Sequence, residues 1–350
     1  MSSEQAVNIG VVGLGSMGKR RVRDLLDLDV EVVGFDVRED RNRQARDMFG
    51  VATFESFDAL IASGIRAVVI STPPDCHVRY YELCHEHRVP YFSEANIFTP
   101  AVAWFSSREA SSGVRGYPSA TWRFHPLVRD ICRRVESLGR DNINSFSHQY
   151  GGFLPDWHPW EPYTGFYAGR KRTSAAREMV PFELEILIEA FGPVAEVRAL
   201  TAQARSWDAQ FDDTYLMLLK FASGVVGTFT IELHQVAPVR VTRISATHSA
   251  LILDLGAQEL KVFEKGSDTW QFVKPGAILQ NWGFQFEHVY REEMRHFLAA
   301  LQGASYPKTW AEDRHLSDVL YAAELSHSSG QSVQVRDVAS AYDGLGWIDE

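Results

Sequence analysis

The chain contains 350 residues, of which 45% are hydrophobic and 23% are charged, and its formal net charge is -10. A chain of this length and composition is expected to form a globular protein of two domains. The acidic balance argues against nucleic acid and anionic membranes as partners, because both require a basic surface. No apolar run is long enough to cross a bilayer.

The start of the chain and its cysteines indicate where the protein is located. Met1–Ala6 is polar and leads directly into an apolar run, so we expect no signal peptide and a cytoplasmic protein. The cysteines are scattered and lack CxxC spacing, which predicts reduced thiols. Because no cluster has the spacing of metal ligands, we expect no metal site.

A glycine-rich turn follows the first predicted strand. Val7–Val12 is a short β-branched apolar run, typical of a strand buried on both faces. The sequence GLGSMG occupies Gly13–Gly18, and apolar residues at helical spacing after it predict a helix. A second apolar run, Val30–Phe35, ends at Asp36. The pattern GxGxxG therefore lies between a strand and a helix, with a carboxylate at the tip of the next strand.

This pattern predicts a dinucleotide-binding site, although a purely structural glycine turn is the alternative. Gly13 permits the tight turn, Gly15 lets a pyrophosphate approach the backbone, and Gly18 lets the helix pack closely on the strand. Ser16 and Met17 begin the helix, whose free N–H groups and dipole hold the phosphate charge.

The acidic residue after the second strand favours NAD over NADP. Asp36 can accept hydrogen bonds from both hydroxyls of the adenosine ribose, and it would repel a 2′-phosphate. Arg38 and Arg41 weaken this preference, because either guanidinium could pair with such a phosphate. NAD is therefore the expected cofactor, and NADP stays an alternative.

Strands and helices continue to alternate through the first third of the chain. Helices are predicted over Asp40–Phe49, Ser56–Ser63 and His77–His87, and strands over Ala67–Ile70 and Pro90–Ser93. Repeated units of this size predict a doubly wound parallel sheet, the Rossmann architecture. Its ligand is expected beyond the carboxyl ends of the strands. The candidate cofactor-binding residues at that edge are Ser71, Thr72, Pro73, His77 and Glu94.

The pattern changes near Trp122. A helix is predicted over Pro126–Leu138, and Ala222-Ser223-Gly224 separates the two strands of a hairpin. Further strands are predicted over Arg240–Ala246, Ala250–Leu255 and Glu259–Glu264, and helices over Gln285–Leu301 and Ala311–Ser326. We therefore predict an α/β protein with a Rossmann domain over residues 1–122. Residues 123–350 would form an α+β domain with a large, mostly antiparallel sheet for substrate binding and oligomerisation.

Six stretches of the chain resemble the Gfo/Idh/MocA family of oxidoreductases. They are VVGLGSMGKR, VVISTPPDCH, FSEANI, WRFHP, LLKFASGVVGTF and AAELSHSSGQSVQV. The resemblance covers nearly the whole chain and implies a two-domain, often oligomeric enzyme. Such enzymes move a hydride between a nicotinamide cofactor and a sugar, polyol or sugar nucleotide.

Two motifs depart from the family pattern. The family has lysine and proline after the glutamate that follows the fifth strand, where this chain has Ala95 and Asn96. The family's aspartate–x–glycine–x–histidine stretch corresponds here to Glu178, Val180 and Phe182. Alanine and phenylalanine cannot exchange protons, so both usual acid–base groups of the family are absent.

The stretch from Leu154 to Glu185 contains the best replacements. We expect a long loop that ends at a helix whose first turn is set by Pro181. His158 and Glu178 are the candidate proton-transfer groups, and a packing role is the alternative for His158. Trp157 and Trp160 offer aromatic surfaces for sugar rings, or they anchor the loop. The candidate substrate-binding cations, which could also form a solvated run, are Arg123, Arg170, Lys171, Arg172 and Arg177.

The sequence therefore predicts an NAD-dependent oxidoreductase, a homo-oligomer such as a dimer or tetramer, that acts on a carbohydrate derivative. A sugar nucleotide or sugar acid of surface-glycan biosynthesis is the expected substrate class. Two alternatives stay open. One is an NAD-using epimerase or eliminating enzyme with no net redox change, and the other is a non-catalytic regulator that binds a dinucleotide and a sugar.

Overall fold

The computed structural model describes residues 8–98, 108, 112–158, 161–207, 210–274 and 287–338. The chain divides into two compact units. Unit 1 comprises Met1–Phe124 and Phe286–Arg314, and unit 2 comprises His125–Gln285 and His315–Glu350. Unit 1 thus includes a late segment that lies well beyond the division predicted between residues 122 and 123.

Unit 1 contains a parallel sheet, as predicted. In the described part of the chain this sheet has six strands in the order β3-β2-β1-β4-β5-β6, and every neighbouring pair is parallel. The strand order reverses between β1 and β4, which marks the switch point where such sheets bind ligands. The strands are β1 Asn8–Val12, β2 Glu31–Phe35, β3 Ala52–Phe54, β4 Ala67–Ile70, β5 Tyr91–Ser93 and β6 Gly116–Pro118.

The helices lie close to their predicted positions, with one exception at α6. They are α1 Ser16–Leu26, α2 Glu39–Phe49, α3 Phe57–Ala62, α4 His77–Glu86, α5 Pro126–Leu138, α6 Ala175–Phe191, α7 Glu287–Leu301 and α8 Trp310–Ser329. Short 3₁₀ segments cover Pro74–Cys76, Thr121–Phe124, Arg140–Asn142, Leu154–Asp156, Tyr163–Gly165, Tyr167–Gly169 and Val335–Asp337.

Both faces of the unit 1 sheet are buried, which explains why its strands are continuous apolar runs. Val11 and Val69 pack on one side, together with Phe297 from α7. Val68 and Tyr81 pack on the other side, in a second core cluster. The segment that returns to unit 1 late in the chain therefore completes one of its two cores.

Unit 2 contains a large, mostly antiparallel sheet. In the described residues it has nine strands in the order β14-β13-β12-β11-β7-β10-β9-β8-β15, and of their neighbouring pairs β7 and β10 are parallel. The predicted hairpin is confirmed, because β9 and β10 are antiparallel and pair Lys220 with Val226. The strands are β7 Ile143–Phe153, β8 Val194–Ala202, β9 Thr214–Phe221, β10 Val226–Glu232, β11 His234–Ala246, β12 Ser249–Asp254, β13 Glu259–Glu264, β14 Gln271–Val273 and β15 Val333–Gln334. The predicted fold class is confirmed.

Helix α6 begins earlier than predicted. Ser174 is its N-cap, and the Ser174 hydroxyl oxygen accepts a 3.3 Å hydrogen bond from the backbone N–H of Arg177. Pro181 lies inside the helix, and the prediction that it sets the first turn was wrong. A proline removes one backbone donor, and a serine cap that satisfies another lets the helix form ahead of it. Glu178 consequently lies in the first turn of α6 rather than ahead of the helix.

In the described part of the chain, no helix is both long and apolar enough to span a membrane.

Candidate functional site

The glycine turn lies at the carboxyl end of β1, and its tight geometry depends on two glycines. Gly13 has a φ of +85°, and a Cβ at this position would lie 2.7 Å from the carbonyl oxygen of Ser71. A Cβ on Gly18 would overlap the carbonyl oxygen of Gly13. At Gly15 the nearest atoms belong to the Arg41 guanidinium, 3.5 Å or more from a Cβ. Gly13 and Gly18 therefore maintain the turn, whereas Gly15 leaves the start of α1 open to a ligand.

Asp36 accepts several hydrogen bonds at this edge of the unit 1 sheet. Its carboxylate accepts hydrogen bonds from the backbone N–H groups of Leu14 at 2.7 Å and Arg38 at 2.9 Å. The Arg41 guanidinium forms an ion pair with the same carboxylate at 3.5 Å. The Arg38 side chain instead pairs with the exposed carboxylate of Asp40 at 2.7 Å. The acidic residue therefore lies at the glycine turn, as predicted.

The loop after β4 presents two hydroxyls beside the turn. Ser71 Oγ and Thr72 Oγ1 are buried, and the described residues offer neither of them a hydrogen-bond partner. Buried hydroxyls in native proteins are usually hydrogen-bonded, so this edge has unused capacity for a ligand. Together with the glycine turn and Asp36, these hydroxyls fit a dinucleotide that spans the switch point.

His77 forms a hydrogen bond to the backbone of the same loop. The imidazole is fully buried, and its Nε2 lies 2.9 Å from the carbonyl oxygen of Thr72. Because a carbonyl can only accept, Nε2 carries the proton. Burial lowers the pKa of His77 to about 4, so the ring is neutral at physiological pH. His77 holds the Thr72 carbonyl and has no exposed surface with which to contact a cofactor directly.

Glu94, which follows β5, pairs with an arginine that was not among the predicted site residues. Arg21 is fully buried, and its guanidinium lies 2.6 Å from Glu94 Oε1 and 2.6 Å from Glu293 Oε2. The sequence feature that indicates burial of Arg21 is its position on the face of α1 that also carries Val22 and Leu25. The Glu94 side chain retains 14% exposure. The glutamate is thus held in place by a buried cation.

The two candidate proton-transfer groups belong to unit 2. The His158 Nδ1 lies 3.2 Å from the Glu161 carboxylate, and its ring centroid lies 4.4 Å from that of Phe166. The Glu178 carboxylate accepts a 3.2 Å hydrogen bond from the hydroxyl of Tyr167. Both side chains are half-buried. Each therefore has a polar partner and some accessible surface.

Trp157 lies on the same segment and is half-buried. Its indole lies close to Gly152, because a Cβ atom added to that glycine would be 3.5 Å from Trp157 Nε1. Trp160 lies outside the described residues.

The predicted substrate-binding cations fall into two groups. Arg170 and Lys171 are exposed, and Arg172 is half-buried. Arg177 is buried, and its guanidinium pairs with both carboxylate oxygens of Glu324 at 2.5 and 3.2 Å.

Arg123 resembles Arg177 rather than the exposed pair. In unit 1 its guanidinium pairs with Glu312 at 2.8 Å and donates to the carbonyl oxygen of Pro307. Arg123 and Arg177 thus neutralise carboxylates within their own units, which differs from the predicted role of binding substrate.

A second buried polar cluster went unnoticed in the sequence. His148 on β7 has its Nε2 3.3 Å from the Glu183 carboxylate, which also pairs with Arg240 at 3.0 Å. His148 Nδ1 lies 2.9 Å from the Thr242 hydroxyl. Glu183 is fully buried in α6. The sequence feature that indicates this cluster is the presence of His148 on the apolar face of β7 and of Glu183 within the mostly apolar sequence of α6.

Over the described residues no three or more histidine, cysteine or acidic side chains come together as metal ligands.

Comparison with protein families supports the resemblance to Gfo/Idh/MocA oxidoreductases. Residues 7–105 match the family model described as "Oxidoreductase family, NAD-binding Rossmann fold". This segment contains the glycine turn, Asp36, the loop after β4 and Glu94. The predicted NAD-binding Rossmann fold is therefore confirmed for this segment. A comparison with curated proteins gives no match.

Solved structures share the fold across both units. A levoglucosan dehydrogenase in complex with NADH and levoglucosan has a TM-score of 0.82 at 17% identity, covering 95% of this chain and 100% of that one. An oxidoreductase from Agrobacterium radiobacter in complex with NAD+, L-tartaric acid and magnesium has a TM-score of 0.82 at 16% identity, covering 95% and 99%. A UDP-N-acetylglucosamine 3-dehydrogenase from Acidithiobacillus ferrooxidans has a TM-score of 0.75 at 16% identity, covering 93% and 99%. At these identities the likeness shows the fold alone.

Proposed function

From the premise that residues 7–105 form the nucleotide-binding segment of a Gfo/Idh/MocA oxidoreductase, we propose that the chain is an NAD-dependent oxidoreductase acting on a carbohydrate derivative. The observation that carries the proposal is the glycine turn joined to Asp36 through the backbone N–H of Leu14. This turn presents free N–H groups of α1 and a ribose-binding carboxylate at one edge of the sheet. NAD supplies hydride transfer when it is bound.

We propose that the adenosine and pyrophosphate half of the cofactor binds at Gly13–Gly18 and Asp36. The other half would contact Ser71, Thr72 and Glu94. The ion pair between Arg41 and Asp36 leaves NADP as the second choice, because the guanidinium could turn to a 2′-phosphate.

The substrate class rests on the fold and on the chemistry of unit 2. Solved proteins of this fold include a levoglucosan dehydrogenase and a UDP-N-acetylglucosamine 3-dehydrogenase. In this chain Trp157 offers an aromatic surface, and Arg170 with Lys171 offers exposed cations for an anionic group. A sugar nucleotide or sugar acid of surface-glycan biosynthesis fits those features. His158 or Glu178 would take the hydroxyl proton.

We also propose that the protein is a cytoplasmic homo-oligomer. Leu200 on β8 lies opposite Leu216 on β9, with Leu218 two residues further along β9. These leucines are 55%, 43% and 58% exposed, respectively, so they form an apolar strip on one face of the unit 2 sheet. A second copy of the chain would cover this strip and remove it from water.

The main rival is a non-catalytic dinucleotide-binding regulator, which Ala95 and Phe182 favour because neither can carry a proton. An epimerase or eliminating enzyme with transient use of NAD is the other. A tryptophan-fluorescence titration with NAD tests the premise that all three share. NADH absorbance during turnover, over a panel of sugar nucleotides and sugar acids, then separates them, because only net oxidation accumulates NADH.

The catalytic assignment is tested with a double variant, His158→Ala with Glu178→Gln. Turnover should be abolished while NAD affinity stays within twofold of wild type. The matched control is His248→Ala with Glu264→Gln, which changes exposed residues of the same unit. Activity that survives the first double change would contradict the assignment.

A further inference from the structure

Three charged side chains form a buried chain in unit 1 with an excess of negative charge. Arg21 lies between Glu94 and Glu293, with 2.6 Å contacts to each carboxylate. Glu293 also accepts hydrogen bonds from the backbone N–H of Ala120 at 2.5 Å and the hydroxyl of Ser119 at 3.0 Å. One guanidinium and two carboxylates leave a net charge of minus one.

The other charges around Arg21 do not cancel this excess. Asp24 also faces the guanidinium, and burial raises the pKa of Asp24 to about 6, so it is mostly ionised at neutral pH. Arg23 pairs with Asp24 and also with Glu287. Arg20 also pairs with Glu287, at 2.9 Å. Those neighbours largely neutralise one another, and the excess charge of the Glu94–Arg21–Glu293 chain persists.

Glu94 is the partly exposed end of this chain. Its Oε1 is held by Arg21, and its side chain keeps 14% exposure, whereas those of Arg21 and Glu293 have none. Asp36 follows β2, on one side of the switch point, and Glu94 follows β5, on the other side. A dinucleotide that lies across the switch point with its adenosine at Asp36 therefore places its nicotinamide half towards Glu94.

We infer that the Glu94–Arg21–Glu293 chain makes the site bind the oxidised form of the cofactor more tightly than the reduced form. This inference rests on the proposed function, because it presupposes NAD binding. The nicotinamide ring of NAD+ carries a positive charge, which disappears when C4 accepts a hydride. A net negative charge nearby stabilises the charged ring and not the neutral one.

The residue after Glu94 strengthens this selection. Ala95 has no charge, so no cation at this position offsets the glutamate. The reduced cofactor then binds less tightly than the oxidised one, which favours release of NADH.

The experiment measures dissociation constants for NAD+, NADH and ADP-ribose by calorimetry, in wild-type protein and in the variant Glu94→Gln. The ratio of the NADH dissociation constant to the NAD+ dissociation constant should fall about tenfold in the variant. This is the effect expected when the attraction between two unit charges about 10 Å apart in a partly solvated site is lost. ADP-ribose lacks the nicotinamide, and its constant should stay within twofold. Glu94→Asp keeps the charge and should keep most of the wild-type ratio.

The matched control is Glu55→Gln, which removes an exposed carboxylate elsewhere in unit 1 and should leave the ratio unchanged. A ratio that stays within twofold in Glu94→Gln, in protein that still binds all three ligands, overturns this inference and leaves the proposed function intact. Loss of ADP-ribose binding in that variant also overturns it, since Glu94 would then support the whole unit. Wild-type protein that binds none of the three ligands overturns the proposed function itself.

Discussion

The backbone N–H of Leu14 donates a 2.7 Å hydrogen bond to Oδ2 of Asp36, across 22 residues of sequence. The same carboxylate accepts from the backbone N–H of Arg38 at 2.9 Å, and it is almost wholly buried. Asp36 thus links the glycine turn to the tip of the neighbouring strand. In the proposed function the same carboxylate would also accept hydrogen bonds from the adenosine ribose.

Replacing Asp36 with alanine should therefore cost both stability and affinity. Two buried backbone donors would lose their acceptor, which predicts a loss of about 2 kcal/mol or more in the free energy of unfolding. NAD affinity should fall at least tenfold, and affinity for NADP should fall less, because Arg41 would be released. Urea unfolding and calorimetry measure the two effects. The control is Asp40→Ala, an exposed partner of Arg38 that should change neither quantity much. Unchanged NAD affinity in Asp36→Ala would refute the assignment.

Two alanine substitutions in the glycine turn should have opposite consequences. Gly18→Ala places a Cβ on the carbonyl oxygen of Gly13 and should destabilise unit 1 severely. Gly15→Ala meets the Arg41 guanidinium at an ordinary contact distance of 3.5 Å, so the fold should survive. The added methyl group would nevertheless obstruct a pyrophosphate at the start of α1, and NAD affinity should drop. Melting temperatures and NAD titrations separate the two outcomes. A Gly15→Ala protein that is folded and binds NAD normally would argue against the phosphate site.

The pH dependence of stability should carry the signature of His77. Burial lowers its pKa from 6.5 to about 4 in the folded protein. Between these values the unfolded chain binds a proton that the folded chain does not, so stability rises with pH from about 4 to 6.5. A shift of this size corresponds to about 3 kcal/mol.

The measurement compares wild type with His77→Gln, which can still donate to the Thr72 carbonyl. Asp24, with its pKa raised to about 6 by burial, contributes the opposite slope over part of the same range. The informative quantity is therefore the difference between the two unfolding profiles over pH 4 to 7, in which the Asp24 contribution cancels. A flat difference would show that His77 titrates normally in the folded protein.

The polar cluster of unit 2 predicts a large stability effect. Glu183→Gln leaves the Arg240 cation beside a neutral amide and removes the carboxylate that faces His148. Breaking a buried ion pair from one side typically costs about 3 kcal/mol or more. Glu264→Gln, at an exposed position in the same sheet, should cost almost nothing. Equal melting temperatures for the two variants would contradict the prediction.

What the sequence could predict was mainly what local patterns determine. The helix over Pro126–Leu138 was predicted to the residue, because a proline begins it and Gly139 ends it. The β9–β10 hairpin followed from its three turn residues, and the Rossmann turn after β1 followed from the spacing of the glycines and Asp36. In each case the deciding contacts are close in sequence or belong to a recurrent motif.

The features that escaped prediction depend on distant partners. Arg177 could not be separated from its basic neighbours, because Glu324, which neutralises it, lies 147 residues away. Arg21 pairs with Glu293, which lies 272 residues further along the chain. The apolar periodicity of α1 predicts which face of the helix is buried, but it does not predict this partner. The start of α6 was missed because Ser174, its cap, lies in a polar stretch that also suits a loop.

The order in which the chain is synthesised gives the late segment of unit 1 a further consequence. Met294 and Phe297 of α7 fill a core whose other members come from the beginning of the chain, such as Ile9 and Val11. A nascent chain leaving the ribosome would therefore carry an incomplete unit 1, with apolar core residues exposed to solvent, until most of unit 2 had been synthesised. We therefore expect chaperones to bind this unit during translation, and we expect fragments that stop at Phe124 to aggregate.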